Sequence, residues 1–237
     1  MFNLGKCCIK IKHINLHIDF NEMKQKPEII LIGGGGHCKA VIDVIETENK
    51  YQIVGIIDTS DKFGQKILKY KVIGNDNDIT KLAEKYKYFF ITVGHINSPS
   101  LRIKLFDIVK REGGQFPVII SPDAHVSKYA EIQEGTIVMH HAIINADSKI
   151  GINCIINNKA LIEHDCEIKN NCHISTNAII NGGIQIGENC FIGSHSVLKQ
   201  YINITSNTII GAGAVVTKDI TEKGVYFGIP VKKIKSL

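Results

Sequence analysis

The 237-residue chain has no tryptophan, only five prolines and three methionines, and just 7% aromatic residues. So few prolines exclude polyproline and collagen-like segments. No apolar run approaches the length that a membrane-crossing helix needs, so membrane insertion is not expected. There is no Cys-x-x-Cys pair. Seven cysteines, an odd number, in a chain this long argue against a secreted disulfide scaffold. The first 22 residues are basic but contain no unbroken apolar core, so they do not read as a signal peptide, and the expected location is cytoplasmic. The net charge of +5 includes no long basic run and no aromatic RNA-binding motif, which makes nucleic acid a poor partner.

What is present is an ordinary globular composition, 44% hydrophobic and 22% charged. Over its second half it carries a repeat. From Val126 to Val216 every sixth residue is Ile, Val or Leu, sixteen times without a slip. The fourth residue after each is usually small, as at Ala130, Ala142, Cys154, Ala160, Cys166, Cys172, Ala178 and Cys190. Helices need apolar spacings of three and four, and strands need alternation. A strict six fits a β-helix, in which each unit forms one flat side and three units close one triangular coil. The apolar residue points to the axis, and the small one lets the chain turn the corner. Sixteen units give five coils and one spare side, a prism roughly 25 Å tall at about 4.8 Å per coil. Cys154, Cys172 and Cys190, each three repeat units from the next, stack in one column of corners and read as small, inert core residues. Such a solenoid needs covered ends.

Residues 27–122 read differently. EIILIG (28–33) predicts a buried strand, Gly33–Gly36 a tight turn, 38–48 a helix, and 52–57 a second strand ending at Asp58. Extended chain at 71–74, a helix at 79–85, a strand at 88–93, a helix at 99–112 and a closing strand at 116–120 complete a small Rossmann-like parallel α/β sheet. A glycine turn opening a helix offers backbone N–H groups to phosphate. An acidic residue ending the next strand suits a ribose hydroxyl or base edge. Gly35, Gly36, His37 and Asp58 are therefore candidates for a nucleotide-linked substrate, ahead of His95 in VGHIN. The turn lacks a complete GxGxxG, and the domain is too small for a whole dinucleotide fold. The expected organisation is a leader (1–26), the α/β domain (27–122), the β-helix (123–220) and a C-terminal tail (221–237) capping the coil.

His164 is the third residue of its repeat and should point outward, flanked by Glu163 and Asp165. Single outward histidines such as His125, His140, His141 and His195 read as solvated. Cys166 is two residues from His164, but its repeat position turns it inward.

The segments IILIGGGGHCKAVIDVI, VGIID, SPDAHVSKYAEIQEG, LIEHDCEI, GAGAVVTKDI and VYFGIPVKKI, in that order, resemble the sugar acyltransferases that include sialic-acid O-acetyltransferases and bacterial UDP-4-amino-sugar N-acetyltransferases. The resemblance spans about residues 28–234. It implies a left-handed β-helix, acetyl-CoA as co-substrate, no metal, and N-acetylation of the 4-amino group of a UDP-linked 4-amino-4,6-dideoxy sugar for bacterial glycan synthesis. It also implies His164 as general base with Asp165 raising its basicity, His173 contacting acetyl-CoA, Ser194 and Ala212 near the pantetheine groove, and Gly35, Gly36, His37 and Asp58 holding the UDP. Asp165 replaces a glutamate, and Val231 an alanine, of the relative compared. Lys232 and Lys233 are further candidates, for the CoA 3′-phosphate. Because a prism has flat faces, catalysis needs a groove between neighbouring prisms, and a homotrimer supplies one. O-acetylation of a sialic acid is the rival reaction. A non-catalytic, sugar-nucleotide-binding trimer stalk and a small oxidoreductase are rivals of other classes.

Overall fold

A computed structural model of the protein describes residues 25–236, so the leader lies almost wholly outside the described residues. The N-terminal unit is built on β1 (Glu28–Ile32), β2 (Gln52–Ile57), β3 (Lys66–Ile67), β4 (Tyr70–Gly74) and β5 (Tyr88–Ile91), in spatial order β3-β4-β2-β1-β5. β1 lies between β2 and β5, parallel to both, and four of its five residues are buried, as a central strand covered on both faces requires. The helix α1 (Gly36–Glu48) buries Cys38, Val41, Ile42 and Ile45, the spacing of one helical face. It stops at Asn49, whose left-handed backbone (φ 61°) returns its N–H to the Ile45 carbonyl. Two more helices, α2 (Ile79–Lys85) and α3 (Ser100–Arg111), complete the unit.

Three details differ from the sequence reading. The sheet has an antiparallel edge, because β3 and β4 form a hairpin that the short extended stretch did not announce. The strand read at 88–93 stops at Ile91. The segment read as closing the domain gives only β6 (Ile119–Ile120), and β6 pairs with Ile137–Val138 of the solenoid rather than with the N-terminal sheet. Ile120 thus extends the six-residue series one step upstream.

From there the chain winds as a left-handed parallel β-helix of two-residue strands. Each strand pairs with the one a full coil further on, as Leu161 and Ile162 do with Ile179 and Ile180. We call its three sides face A (β6, Ile137–Val138, Ile155–Ile156, His173–Ile174, Phe191–Ile192, Thr208–Ile210), face B (from His125–Val126 to Val215–Val216) and face C (from Glu131–Ile132 to Asn203–Ile204). The six-spaced residues from Val138 to Val216 form one buried core with the small corner residues, including all four solenoid cysteines, which are free thiols. Gly224–Gly228 continues face A and folds back on Val231–Lys235, so the C-terminal segment is a hairpin that lengthens one face.

The corners follow a second rule. One residue in six, three before each axial apolar residue, has φ near +57 to +71°: residues 135, 141, 147 and so on to 213. Asn and Asp tolerate this region best after Gly, and they occupy seven of those corners, Asp147, Asn153, Asp165, Asn171, Asn177, Asn189 and Asn207.

The three outer surfaces are unlike. Face A turns Ile119, Ile137 and Ile155 into the core of the N-terminal unit. Face C presents Glu131, Lys149, Glu167, Gln185 and Asn203. Face B presents Ile143, Leu161, Ile179, Val197 and Val215, none of them fully buried.

Candidate active site

His164 stands at the corner between faces B and C. Its Nδ1 lies 2.7 Å from Asp165 Oδ2, and both side chains are more than half exposed. A carboxylate only accepts, so Nδ1 carries the proton and Nε2 the lone pair. Asp165 is also a left-handed corner residue (φ 59°), so local backbone geometry explains an Asp or Asn there before any chemistry does. One coil further on, under the imidazole, is Gly182. A Cβ at Gly182 would lie 2.7 Å from both Nε2 and Cε1 of His164, so the ring's position requires glycine beneath it. Sequence reasoning missed Gly182, although the repeat places it one full coil from His164. Cys166 faces inward as expected, with Sγ 3.2 Å from the Asn181 carbonyl, and burial raises its thiol above the ordinary value, which makes it a poor nucleophile.

Ser194 and Ala212 occupy one column, in the A–B corner, with Ser194 Oγ 2.9 Å from Ser175 Oγ. Asn158 belongs to the same column two coils earlier, and its Oδ1 is buried without a partner. That corner and the His164 corner are opposite edges of face B, separated by about five residues of extended chain, roughly 16 Å.

The third group lies where the N-terminal unit docks on face A. His173 is buried, its Nδ1 2.8 Å from the His95 carbonyl oxygen and its Nε2 3.2 Å from Asn157 Nδ2. His95 and His37 pack around it, with ring centroids at 5.5 and 6.5 Å. His37 Nε2 and both ring nitrogens of His95 are buried without partners. The guanidinium of Arg102, 1% exposed, backs the cluster. It donates to the Ile91 carbonyl at 3.0 Å, to the Val93 carbonyl and to Asn153 Oδ1 at 2.7 Å. His140, read as solvated, also bridges the two units, with Nε2 3.0 Å from Asp43 Oδ2.

Burial lowers the pKa of His37 and His95 to about 3 and of His173 to about 4. The Arg102 charge adds to all three shifts, while the His95 carbonyl partly offsets that of His173. In an unfolded chain each titrates near 6.5, so between pH 6.5 and about 3 the unfolded state binds more protons. Stability is full above pH 6.5 and is lost as pH falls through that window. At pH 5 the three together cost about 4–6 kcal/mol. Calorimetry should show Tm falling by roughly 10 °C or more between pH 7 and pH 5, and a His95→Phe substitution should flatten the slope. A flat profile in the unaltered protein contradicts this account.

Asp58 closes the glycine turn from inside. Its Oδ2 accepts from Gly34 N and from Lys62 Nζ, both at 2.9 Å, and its Oδ1 accepts from Thr59 N at 2.8 Å. Burial alone would raise this carboxyl, but the Lys62 hydrogen bond and Thr59 N–H hold it below its ordinary value. Both oxygens are therefore already engaged within the unit. Of Lys232 and Lys233, the second is paired with Glu222 at 2.8 Å. Among the described residues, no helix is long and apolar enough to cross a membrane, and no group of three His, Cys, Asp or Glu side chains could hold a metal ion.

Comparison with known proteins agrees with this architecture. Residues 28–109 match the family model for the PglD N-terminal domain, and residues 165–200 and 183–218 match that for the bacterial transferase hexapeptide (six repeats). No curated protein matches in sequence. Among solved structures, PerB from Caulobacter crescentus in complex with CoA and GDP-perosamine is 32% identical, with TM-score 0.80 over 87% of this chain and 96% of that one. A histidine-to-alanine variant of GDP-perosamine N-acetyltransferase from the same organism, with both ligands, matches equally well (TM-score 0.82, 32% identity, 87% and 96% coverage). The acetyltransferase domain of PglB from Neisseria gonorrhoeae, in complex with acetyl coenzyme A, is 30% identical, with TM-score 0.82 over 89% of this chain and all of that one.

Proposed function

The chain belongs to the left-handed β-helix sugar acyltransferases, and from that premise we propose that it transfers the acetyl group of acetyl-CoA to the 4-amino group of a nucleotide-linked 4-amino-4,6-dideoxy sugar, with UDP as the nucleotide, in bacterial glycan synthesis. The observation that carries the reading is the His164–Asp165 pair, which leaves Nε2 free above a glycine shelf. The substrate amine attacks the thioester carbonyl. A C–N bond forms, the C–S bond breaks, and Nε2 takes the amine's proton and returns it to the leaving thiolate. Asp165 fixes the tautomer and stabilises the imidazolium.

The column of Ser194 and Ala212 is the pantetheine wall, and the unpartnered Asn158 Oδ1 in the same column suits an amide-bearing ligand. His173 enters as part of that wall's support rather than as a free ligand, because both its ring nitrogens are engaged. Gly35, Gly36 and His37 take the nucleotide's phosphates, and Asp58 shapes their turn. Base and cofactor wall lie on opposite edges of face B, so a complete site needs both edges brought together from two copies. The apolar row on face B supplies the contact, and a closed trimer uses each edge once.

The test is CoA-thiol release from acetyl-CoA with three acceptors: a UDP-linked 4-amino-4,6-dideoxy sugar, GDP-perosamine and sialic acid. Turnover of the UDP sugar is expected. Turnover of GDP-perosamine alone corrects the nucleotide. Turnover of sialic acid alone replaces N- by O-acetylation, and none with any acceptor removes the reading.

A further inference from the structure

A cavity of about 240 Å³ lies between the two units, at the corner between faces C and A. The loop into α3 walls it on one side, through Ser98 and Ser100. Asn189, Asn207 and Ile209 of the solenoid, with Lys223 of the segment that follows, wall it on the other. No residue assigned a part in acetyl transfer or nucleotide binding lines it, so it is neither the glycine turn nor the pantetheine wall.

Two hydrogen-bonded columns of the solenoid end here. In the first, Arg102 donates to Asn153 Oδ1, and the side-chain amides then donate in turn to Asn171, Asn189 and Asn207. These amides all point away from a guanidinium, and bonds in such a chain polarise one another. Asn207 is the last rung, so its Nδ2 has no rung beyond it to serve. In the second column, Thr136, Cys154, Cys172 and Cys190 each donate to the carbonyl 15 residues on, at Gly151, Lys169, Gly187 and Thr205. Thr208 continues that column, between the lining residues Asn207 and Ile209. The corresponding acceptor is the Lys223 carbonyl, but no bond forms, and Thr208 Oγ1 is buried without a partner on the Lys223 side of the cavity. Lys223 adds a charge. The adjacent Glu222 is taken by Lys233, and none of the lining residues is acidic. Glu188, beside Asn189, is held by Asn170 and lines face C instead. The hydroxyls of Ser98 and Ser100 are 2.7 Å apart, so one donates to the other and one proton is left to give.

We propose that this cavity binds a small free oxyanion of the phosphate class, held between the two units. An ammonium group, the terminal amide of a polarised ladder, a buried threonine hydroxyl and a serine hydroxyl supply charge and donors, and a tetrahedral oxyanion offers acceptors to all of them together. The volume holds a phosphate with several waters. The loop that walls the cavity begins at His95, whose carbonyl accepts from His173 where the units dock. A bound ion therefore ties that loop to the solenoid and stabilises the docked arrangement. The inference is independent of the acetyltransferase reading.

The test is the calorimetric Tm of the full chain in inorganic phosphate against chloride, at neutral pH and equal ionic strength. With a Kd of about 1 mM, about 20 mM phosphate should raise Tm by about 4 °C. Lys223→Gln and Asn207→Asp should each cut that rise to about a third or less. Asn207→Asp suits the left-handed corner (φ 59°) and still accepts from Asn189, while it sets a carboxylate against the ion. Lys81→Gln, the same charge change on the exposed side of α2, should keep the whole rise. So should saturating UDP or CoA. No rise in the unaltered protein overturns the proposal. A rise that survives in both cavity variants overturns it as general salt stabilisation, and one lost equally in Lys81→Gln overturns it as an effect of overall charge. A rise that UDP or CoA abolishes overturns it by placing the ion in a substrate's phosphate subsite.

Discussion

His164→Ala should lower kcat for acetyl transfer by about 10²–10⁴-fold, the range that a positioned base contributes, while Tm moves by no more than a degree or two. The two effects separate because the imidazole is exposed and its one side-chain partner is the adjacent Asp165. Gly182→Ala approaches the same result from the neighbouring coil. Its new methyl would meet Nε2 and Cε1 at 2.7 Å, so the imidazole must swing away, and a loss of about 10-fold or more is expected with His164 itself intact. Asp165→Asn keeps a residue suited to the left-handed corner and removes only the carboxylate, so its activity should fall while its stability holds. Steady-state thiol release and calorimetry on the same preparations check all three. If His164→Ala retains activity within tenfold of the unaltered protein, another group takes the proton.

Among single substitutions, the largest effect on stability should come from Arg102→Met, a loss of about 3–5 kcal/mol, seen as a Tm fall of roughly 10 °C. Arg102 is a buried cation with no carboxylate partner among the described residues. Carbonyls at the end of β5 and the Asn153 side chain surround it. Asn153 heads a ladder in which each side-chain amide donates to the next: Asn153 to Asn171 (3.0 Å), Asn171 to Asn189 (3.3 Å) and Asn189 to Asn207 (3.2 Å). The guanidinium satisfies the one ladder carbonyl that no coil above can serve. Methionine fills the volume but strands Asn153 Oδ1 and two main-chain carbonyls in a dry interface. A cost under about 1 kcal/mol by denaturant titration would show that water replaces the guanidinium at little penalty.

The strict six-residue series was sufficient for the solenoid, because one buried position per side is fixed by the prism's section and nothing else in a chain repeats at six. The His164 corner was legible for the same reason, its outward direction following from its place in the repeat. The corner rule is equally present, three residues before each axial apolar residue, but Asn and Asp share those corners with Gly, His, Lys and Tyr, so the position carries no single residue type to read. With it, Asp165 has a structural reason to be there, and Gly182 emerges as the residue one coil beyond His164. Arg102, His95 and His173 were harder. Their roles depend on how two units dock, and periodicity within either unit does not encode that. A buried arginine on an amphipathic helix looks like any basic residue until its partners are known. The hairpin of β3 and β4 was missed because its first strand has only two residues, too few to leave a pattern.

The asparagine ladder also constrains how this chain can change length. Each rung meets the next only because successive rungs are one full coil apart, and the axial apolar residues, the corner residues and the glycine shelf under His164 keep the same count. Losing a single residue within the coils would shift every later side chain out of its column. Losing one whole repeat unit would rotate each later face onto its neighbour's position. Only a whole coil can be inserted or excised without disturbing the rest. Even then His164 would keep its shelf only if the cut fell elsewhere, so the solenoid lengthens or shortens in quanta of one full turn.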